Sequence, residues 1–228
     1  MQRFPRLPSF LLLPPVLLLG SLVAHAQEVT VKPAASPSDI SEFLRPPGSD
    51  PYAPLPDWSA LPPWRQTSFF DVKAEGTFFI FVVDCSGSMD DGARLIRAKH
   101  ELRRTISRLQ FPQRFLIIFY NDKAWPMPGD LVNSADTESK NLAYRWLARV
   151  DAEGETDPRT AMNLALSLRP NAVFLLSDGD YPTGCVESIA LKNKTRIPIH
   201  CIDLAPGAVG DDLKLIAKQS GGQYAARP

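Results

Sequence analysis

The chain has 228 residues, of which 44% are hydrophobic and 22% charged, and this composition excludes a disordered protein. Its formal net charge is zero, so no overall electric field attracts it to nucleic acid or to an anionic membrane. It contains three cysteines, and because that number is odd at least one thiol stays free unless two chains pair. Cys201 alternates with apolar neighbours in a strand-like run, and we expect it to be buried.

Residues 1–26 have the pattern of a secretory signal peptide. Arg3 and Arg6 give it a positive start, residues 10–24 form an apolar run, and Ala24-His25-Ala26 places small residues where a signal peptidase cuts. The apolar run is shorter than the roughly 20 residues that a membrane span needs. We therefore expect cleavage after Ala26, a secreted or periplasmic protein, and no stable membrane insertion of the mature chain.

Residues 27–66 are predicted to be a Pro-rich linker. Nine prolines fall in this segment without sustained periodicity, which is typical of extended or polyproline-like chain. Five apolar side chains interrupt the prolines: Phe43, Leu44, Tyr52, Trp58 and Trp64. They either dock the linker onto the following domain or form a motif for a partner, and docking is the preferred interpretation.

Residues 67–228 alternate between strand and helix patterns, as in one α/β domain. Short apolar runs indicate buried strands, and apolar residues three or four apart indicate helices. The predicted strands cover 77–83, 115–120, 123–127 (a short returning edge strand), 172–176, 197–204 and 223–226. The predicted helices lie between them and cover 93–109, 138–150, 157–168, 186–192 and 211–219. In the third helix, Asp157 is the predicted N-cap and Pro158 occupies the first helical position.

Strands that are joined by helices of this length pair in parallel through right-handed crossovers. The predicted fold class is therefore α/β, with a doubly wound, mostly parallel sheet, a short antiparallel edge strand and helices on both faces. In such a sheet, ligands bind beyond the carboxyl ends of the strands, where the strand order reverses.

Three polar clusters are predicted to lie at that edge. Asp84-Cys85-Ser86-Gly87-Ser88 follows the strand over 77–83, Gly154-Glu155-Thr156 precedes the helix that Asp157 starts, and Ser177-Asp178-Gly179 follows the strand over 172–176. If the strand order reverses between the first and fourth strands, these three segments meet. Five side-chain oxygens then converge, from Asp84, Ser86, Ser88, Thr156 and Asp178.

Five hard oxygen donors without nitrogen or sulfur suit Mg²⁺ or Mn²⁺. Ca²⁺ is less suitable, because its larger shell takes more carboxylates. Two carboxylates and three neutral hydroxyls hold a dication without full anionic ligation, so an exposed sixth position favours a carboxylate from another molecule. The alternative is that these residues only form turns and helix caps, which explains each cluster singly but not their convergence.

The motif DCSGSM after an apolar strand, the threonine of GET and the later LLSDG resemble, in this order, the metal-ion-dependent adhesion site of von Willebrand factor A domains. The resemblance spans residues 77–226 and implies a Rossmann-like sheet. It carries Asp84, Ser86, Ser88, Thr156 and Asp178 onto the family's five metal-coordinating positions. It also implies Mg²⁺, and a protein ligand whose Glu or Asp completes the metal shell.

Two features depart from the family pattern. Many members have Gly-Gly-Thr where this chain has Gly-Glu-Thr, so Glu155 either weakens acidic ligands or points to solvent, and solvent is preferred. The sequence ends at Pro228, directly after the last predicted strand, without the C-terminal helix that affinity-switching members move. Because of this second departure, we expect a constitutive binder rather than one that switches affinity.

The predicted function is that of an exported, metal-dependent, adhesion-type protein-binding module that is not an enzyme. One alternative is a Mg²⁺-dependent hydrolase of the phosphatase type. The DxDxT pattern of phosphoaspartyl phosphatases needs a second acid where this chain has Ser86, so the general acid is missing. The other alternative is a structural scaffold that binds its partner through the Pro-rich segment.

Overall fold

The computed structural model describes residues 59–179, 181–207 and 211–228, which all belong to one folded unit. The predicted signal peptide and residues 27–58 of the predicted linker lie outside the described residues, and so do four of its five apolar side chains. The fifth, Trp64, is 39% exposed. No described helix has the length and apolar character needed to cross a membrane.

Nine strands and five α-helices make up the regular structure of the described chain. The strands are β1 (Gln66–Phe69), β2 (Val72–Glu75), β3 (Phe78–Asp84), β4 (Arg114–Tyr120), β5 (Ala124–Pro126), β6 (Asn133–Ser134), β7 (Ala172–Ser177), β8 (Ile199–Asp203) and β9 (Tyr224–Ala226). The helices are α1 (Arg94–Arg108), α2 (Thr137–Leu147), α3 (Arg159–Ser167), α4 (Cys185–Lys192) and α5 (Asp212–Ser220). Two 3-10 segments cover Pro63–Arg65 and Gly87–Ala93.

The main sheet has seven strands in the order β5-β4-β3-β7-β8-β9, and β6 also pairs with β4. The pairs β3–β4, β3–β7, β7–β8 and β8–β9 are parallel, whereas β5 and β6 run antiparallel to β4. From β3 the chain goes to β4 on one side and later to β7 on the other, so the strand order reverses at β3. This confirms the predicted mixed, mostly parallel α/β sheet and places its switch point between β3 and β7.

The two central strands are buried along their whole length, as their apolar runs predict. Every residue of β3 and of β7 is buried. Phe81 stacks on Phe174 at a ring-centroid distance of 5.3 Å, and Phe69 meets Phe81 edge-on at 5.2 Å. Helices flank the sheet: α3 packs against β3 and β4, α5 packs against β8 and β9, and α1 packs against β1 and α2. Both faces of the central strands are therefore covered, and only their ends remain for a site.

The sequence analysis did not predict the β1–β2 hairpin. Its turn residues Phe70 and Asp71 both have positive φ, 48° and 61°. Hairpin turns with two positive φ values normally contain Asn or Gly, so the usual sequence signal is absent here. The hairpin is held to the rest of the domain by Phe69, which is fully buried.

The start of α3 differs slightly from the prediction. The helix begins at Arg159, and Pro158 is the residue that precedes it rather than its first position. Asp157 still satisfies a free backbone N–H of the first turn, because its carboxylate accepts the N–H of Arg159 at 3.0 Å. Asp157 therefore still caps the helix as predicted, but it lies one residue further from the first helical residue than expected.

The three cysteines of the chain are free and buried. Cys201 is fully buried, as predicted, and burial raises the pKa of its thiol. Burial also raises the pKa of the Cys85 and Cys185 thiols to about 12 each. These thiols stay protonated at neutral pH, and buried packing accounts for all three.

Candidate functional site

The carboxyl ends of β3 and β7 bring together the first and third polar clusters, which follow these two strands. The strands pair in parallel, with Val83 opposite Leu176, so the residues that follow each of these lie side by side. Ser177 donates its hydroxyl hydrogen to Asp84 Oδ2 across the strand pair at 2.7 Å. Asp84 is fully buried at this edge.

Asp84 is held by two further donors. The backbone N–H of Ser86 donates to Asp84 Oδ1 at 2.8 Å, and the hydroxyl of Tyr120 donates to Oδ2 at 3.3 Å. Burial raises the pKa of Asp84 to about 6, against the hydrogen bonds from Ser86 and Ser177, which favour the charged form. No ion pair to Asp84 is present among the described residues. Its negative charge is therefore well oriented but lacks a compensating positive charge.

Ser86 and Ser88 connect Asp84 to Asp178. Ser88 Oγ donates to Asp178 Oδ1 at 2.8 Å, and the hydroxyl oxygens of Ser86 and Ser88 are 3.2 Å apart. Four of the five predicted site residues thus form one hydrogen-bonded cluster, which extends from the end of β3 to the end of β7.

Thr156 reaches the same edge on a loop that is held by backbone hydrogen bonds to the ends of β3 and β4. In one of these bonds, Gly87 donates its N–H to the carbonyl of Gly154 at 3.0 Å. Gly154 has a φ of +78°, and a Cβ there would lie 3.0 Å from Asn121 Nδ2, so the tight loop requires glycine. A Cβ on Gly179 would lie 3.4 Å from Thr156 Oγ1, which places Thr156 beside the residue that follows Asp178. No hydrogen bond joins Thr156 to the other four site residues in the described structure.

Arg94 is a site residue that the sequence analysis did not identify. Its Nη1 donates to Asp178 Oδ2 at 2.7 Å and to the backbone carbonyl of Ser88 at 3.2 Å. The side chain of Asp178 is fully buried, whereas that of Arg94 is 25% exposed. No sequence pattern identifies it: Arg94 is the first residue of α1, five residues after the end of the DCSGSM motif, and its position in the helix does not say which way it faces.

Tyr120 and Tyr181 are also missing from the predicted site. Their hydroxyls are 3.3 Å apart, and Tyr120 contacts Asp84 as described above. Burial raises the pKa of both phenols well above the ordinary value, so both remain hydroxyl donors. Tyr120 thus helps to orient the Asp84 carboxylate, and Tyr181 contacts the Tyr120 hydroxyl.

The donor set fits a hard cation and not a soft one. Two carboxylates and three hydroxyls supply only oxygen, the ligand type that Mg²⁺ and Mn²⁺ take in proteins. In the part of the chain that the structure describes, no group of three or more His, Cys, Asp or Glu side chains is arranged to hold a metal. Any ion at this edge would therefore depend on the hydroxyl groups of Ser86, Ser88 and Thr156.

One known family model matches part of the domain. Residues 79–180, which contain all five predicted site residues, match the model described as the von Willebrand factor type A domain. The match covers less than half of the chain and shows that this segment is similar to that family. No curated protein matches the sequence.

Three of the solved structures with the same fold come from two bacteria and a mussel. A von Willebrand factor type A protein from Catenulispora acidiphila is 18% identical with a TM-score of 0.61, over 69% of this chain and 40% of that one. BatB from Bacteroides thetaiotaomicron, described as a conserved hypothetical protein, is 18% identical with a TM-score of 0.54, over 67% and 90%. Proximal thread matrix protein 1 from the mussel byssus, with a zinc-occupied MIDAS motif, is 20% identical with a TM-score of 0.52, over 67% and 42%. At these identities the similarity shows the fold alone.

The surface around the candidate site of this domain is acidic. Five exposed carboxylates belong to the loops at this edge: Asp90, Asp91, Asp122, Glu153 and Glu155. Glu155 is solvent-exposed, and its charge adds to this acidic surface all the same. Asp157 is paired with Arg159, at 2.6 Å. A free carboxylate that approaches this edge therefore meets negative charge unless a cation is present.

Proposed function

We propose that this domain is an exported binding module, not an enzyme, that holds a divalent cation with Asp84, Ser86, Ser88, Thr156 and Asp178. The observation that carries the proposal is the hydrogen-bonded cluster of two carboxylates and two hydroxyls at the switch point of the sheet. Mg²⁺ or Mn²⁺ suits this oxygen set best. When bound, the ion would supply the positive charge to which a carboxylate of a protein ligand binds.

The chain's own residues keep the site in place. Ser177, Tyr120 and the N–H of Ser86 orient the Asp84 carboxylate, as described above. The ties from Gly87 to Gly154 and from Glu153 N–H to the carbonyl of Cys85, at 2.8 Å, hold the Thr156 loop over the end of β3. Because these contacts lie within the chain itself, they preorganise most of the site for binding.

The acidic surroundings define the kind of ligand. The exposed carboxylates at this edge repel an acidic ligand in the absence of a cation, so binding should depend strictly on the metal. They also attract positive charge. We therefore propose a protein ligand whose Glu or Asp is flanked by basic residues, with complementary charge around the central contact.

Capture from the native extracellular medium tests this function. The immobilised chain is expected to retain a protein ligand with Mg²⁺ and to release it with EDTA. The Asp178→Ala variant should fail to retain the ligand, because a cation ligand is lost, whereas Asp130→Ala should behave like wild type, because Asp130 is exposed and lies in another loop. The readout is the amount of the same protein retained in each condition, measured by mass spectrometry.

A variant that lacks residues 27–58 distinguishes the metal site from the Pro-rich segment. Capture that persists in this variant and still depends on Mg²⁺ supports the domain as the binding surface. Capture that is insensitive to EDTA and disappears with residues 27–58 would show that the Pro-rich segment binds the partner and that the proposed function is wrong.

A further inference from the structure

Arg94 is the one cationic side chain in the described structure that makes an ion pair with a predicted cation ligand. Its Nη1 lies 2.7 Å from Asp178 Oδ2. The other oxygen of the same carboxylate, Oδ1, accepts the hydroxyl hydrogen of Ser88 at 2.8 Å. Both oxygens of Asp178 are thus engaged by donors, and a cation that binds this carboxylate directly has to displace one of them.

The backbone before α1 directs Arg94 into this position. Gly92 and Ala93 both have φ values of +57°, a left-handed conformation that turns the chain sharply between the 3-10 segment and the helix. Ala93 is not glycine, so this conformation is strained and persists only where surrounding contacts fix it. Arg94 provides such contacts, since its guanidinium group bonds both Asp178 and the carbonyl of Ser88. The loop and the ion pair support each other.

The exposure of the two partners differs in a way that allows exchange. The Asp178 side chain is fully buried and cannot turn away, whereas Arg94 is 25% exposed and lies at the rim. A guanidinium group is also larger than a bare dication and carries less charge. It can neutralise Asp178 from the rim, but it cannot bring the Asp84 carboxylate and the three hydroxyls together around one centre.

We infer that Arg94 is an internal competitor of the cation, which neutralises Asp178 in the metal-free domain and lowers the domain's affinity for divalent ions. The inference rests on the proposed cation site. In the metal-free state the guanidinium group stabilises the buried carboxylate. When an ion binds, Arg94 releases Asp178 Oδ2 and its side chain turns toward solvent. Arg94 thereby sets the concentration of divalent ion at which the site fills.

The Arg94→Gln variant tests the inference because its affinity for Mn²⁺ should rise while its stability without the ion should fall. Its dissociation constant for Mn²⁺, measured by the electron paramagnetic resonance signal of the free ion, is expected to fall by a factor of ~10 or more, because a nearby positive charge is removed. Its melting temperature in EDTA is expected to fall, because Asp178 loses its partner. A purely structural role of Arg94 would lower stability without tightening the binding of Mn²⁺.

Arg97→Gln is the matched control. Arg97 lies almost one turn further along α1 and donates to the backbone carbonyls of Arg227 and Pro228, not to the site. It should leave the dissociation constant for Mn²⁺ unchanged, and Arg94→Lys, which keeps the charge, should stay close to wild type. Binding to Arg94→Gln but not to wild type would also support the inference. Equal Mn²⁺ affinity of wild type and Arg94→Gln overturns it while leaving the site intact, whereas absence of binding in both overturns the proposed site as well.

Discussion

Replacing Asp84 with asparagine is expected to abolish divalent-cation binding while leaving the metal-free domain as stable as wild type or more stable. Asp84 is fully buried, and burial raises its pKa to about 6. At neutral pH its negative charge therefore destabilises the metal-free fold, by roughly 2–3 kcal/mol for a shift of this size. Asparagine has nearly the same shape and removes that charge. Its oxygen can accept the N–H of Ser86, and its amide can donate to the hydroxyls of Ser177 and Tyr120.

Urea unfolding with and without Mg²⁺ measures both parts of this prediction. A cation that binds only the folded wild type raises its unfolding free energy, by about 2.7 kcal/mol at a concentration 100 times the dissociation constant. Asp84→Asn should gain nothing from Mg²⁺. Asp203→Asn is the matched control. Asp203 ends β8, which β7 separates from β3, and it accepts hydrogen bonds from Ala205 N–H at 2.9 Å and from Tyr224 at 2.7 Å, outside the site. A gain from Mg²⁺ in Asp84→Asn that equals the wild-type gain would contradict the prediction.

The second large effect is a loss of stability in acid that comes from His200. This side chain is 5% exposed and stacks on Phe174 at 5.2 Å, and burial lowers its pKa from 6.5 to about 4. Its Nδ1 accepts the N–H of Gln223 at 3.2 Å, which requires the neutral ring. The folded state therefore binds fewer protons than the unfolded state in this window. The contribution of the neutral His200 to the unfolding free energy is fully present above about pH 6.5. It is lost as the pH falls toward about 4, by roughly 3 kcal/mol in total.

The His200→Asn variant isolates this contribution. Asparagine can still accept the N–H of Gln223 but does not titrate, so the difference in unfolding free energy between wild type and variant should shrink as the pH falls from neutral to about 4. Asp84 titrates with the opposite sign, and its contribution cancels because it is common to both proteins. A wild-type to variant difference that stays constant with pH would show that His200 is not the buried neutral histidine described here.

Much of the fold could be predicted because the central strands are buried on both faces. The continuous apolar runs of β3 and β7 follow from that burial and are visible in the sequence. The β1–β2 hairpin could not be predicted, since four-residue strands carry little periodicity and the Phe70–Asp71 turn lacks Asn and Gly. Its stability comes from tertiary contacts of Phe69 with Phe81 and Phe174, which no local pattern records.

The part of the candidate site that lies at the ends of strands could be predicted, because the order of the strands fixes the positions of those residues. Asp84 and Asp178 follow adjacent parallel strands, and their approach is a consequence of strand order. Tyr120 could have been found in the same way, because it pairs in register with Asp84 at the end of β4. Arg94 could not, because helical periodicity gives a residue's face only relative to its own helix. The turn at Gly92 and Ala93 determines where that face points.

The Thr156 hydroxyl gives the most direct test of the central claim, since no hydrogen bond in the described structure connects it to the other four residues. Only a shared cation would couple it to them. In a Mn²⁺ titration followed by electron paramagnetic resonance, wild type should bind one ion per chain and release it to excess Mg²⁺. Thr156→Ala should weaken that binding by a factor of ~10 or more, and Thr160→Ala, an exposed threonine on α3, should not. No bound Mn²⁺ in wild type, or equal binding by the two threonine variants, would contradict the proposed five-residue site.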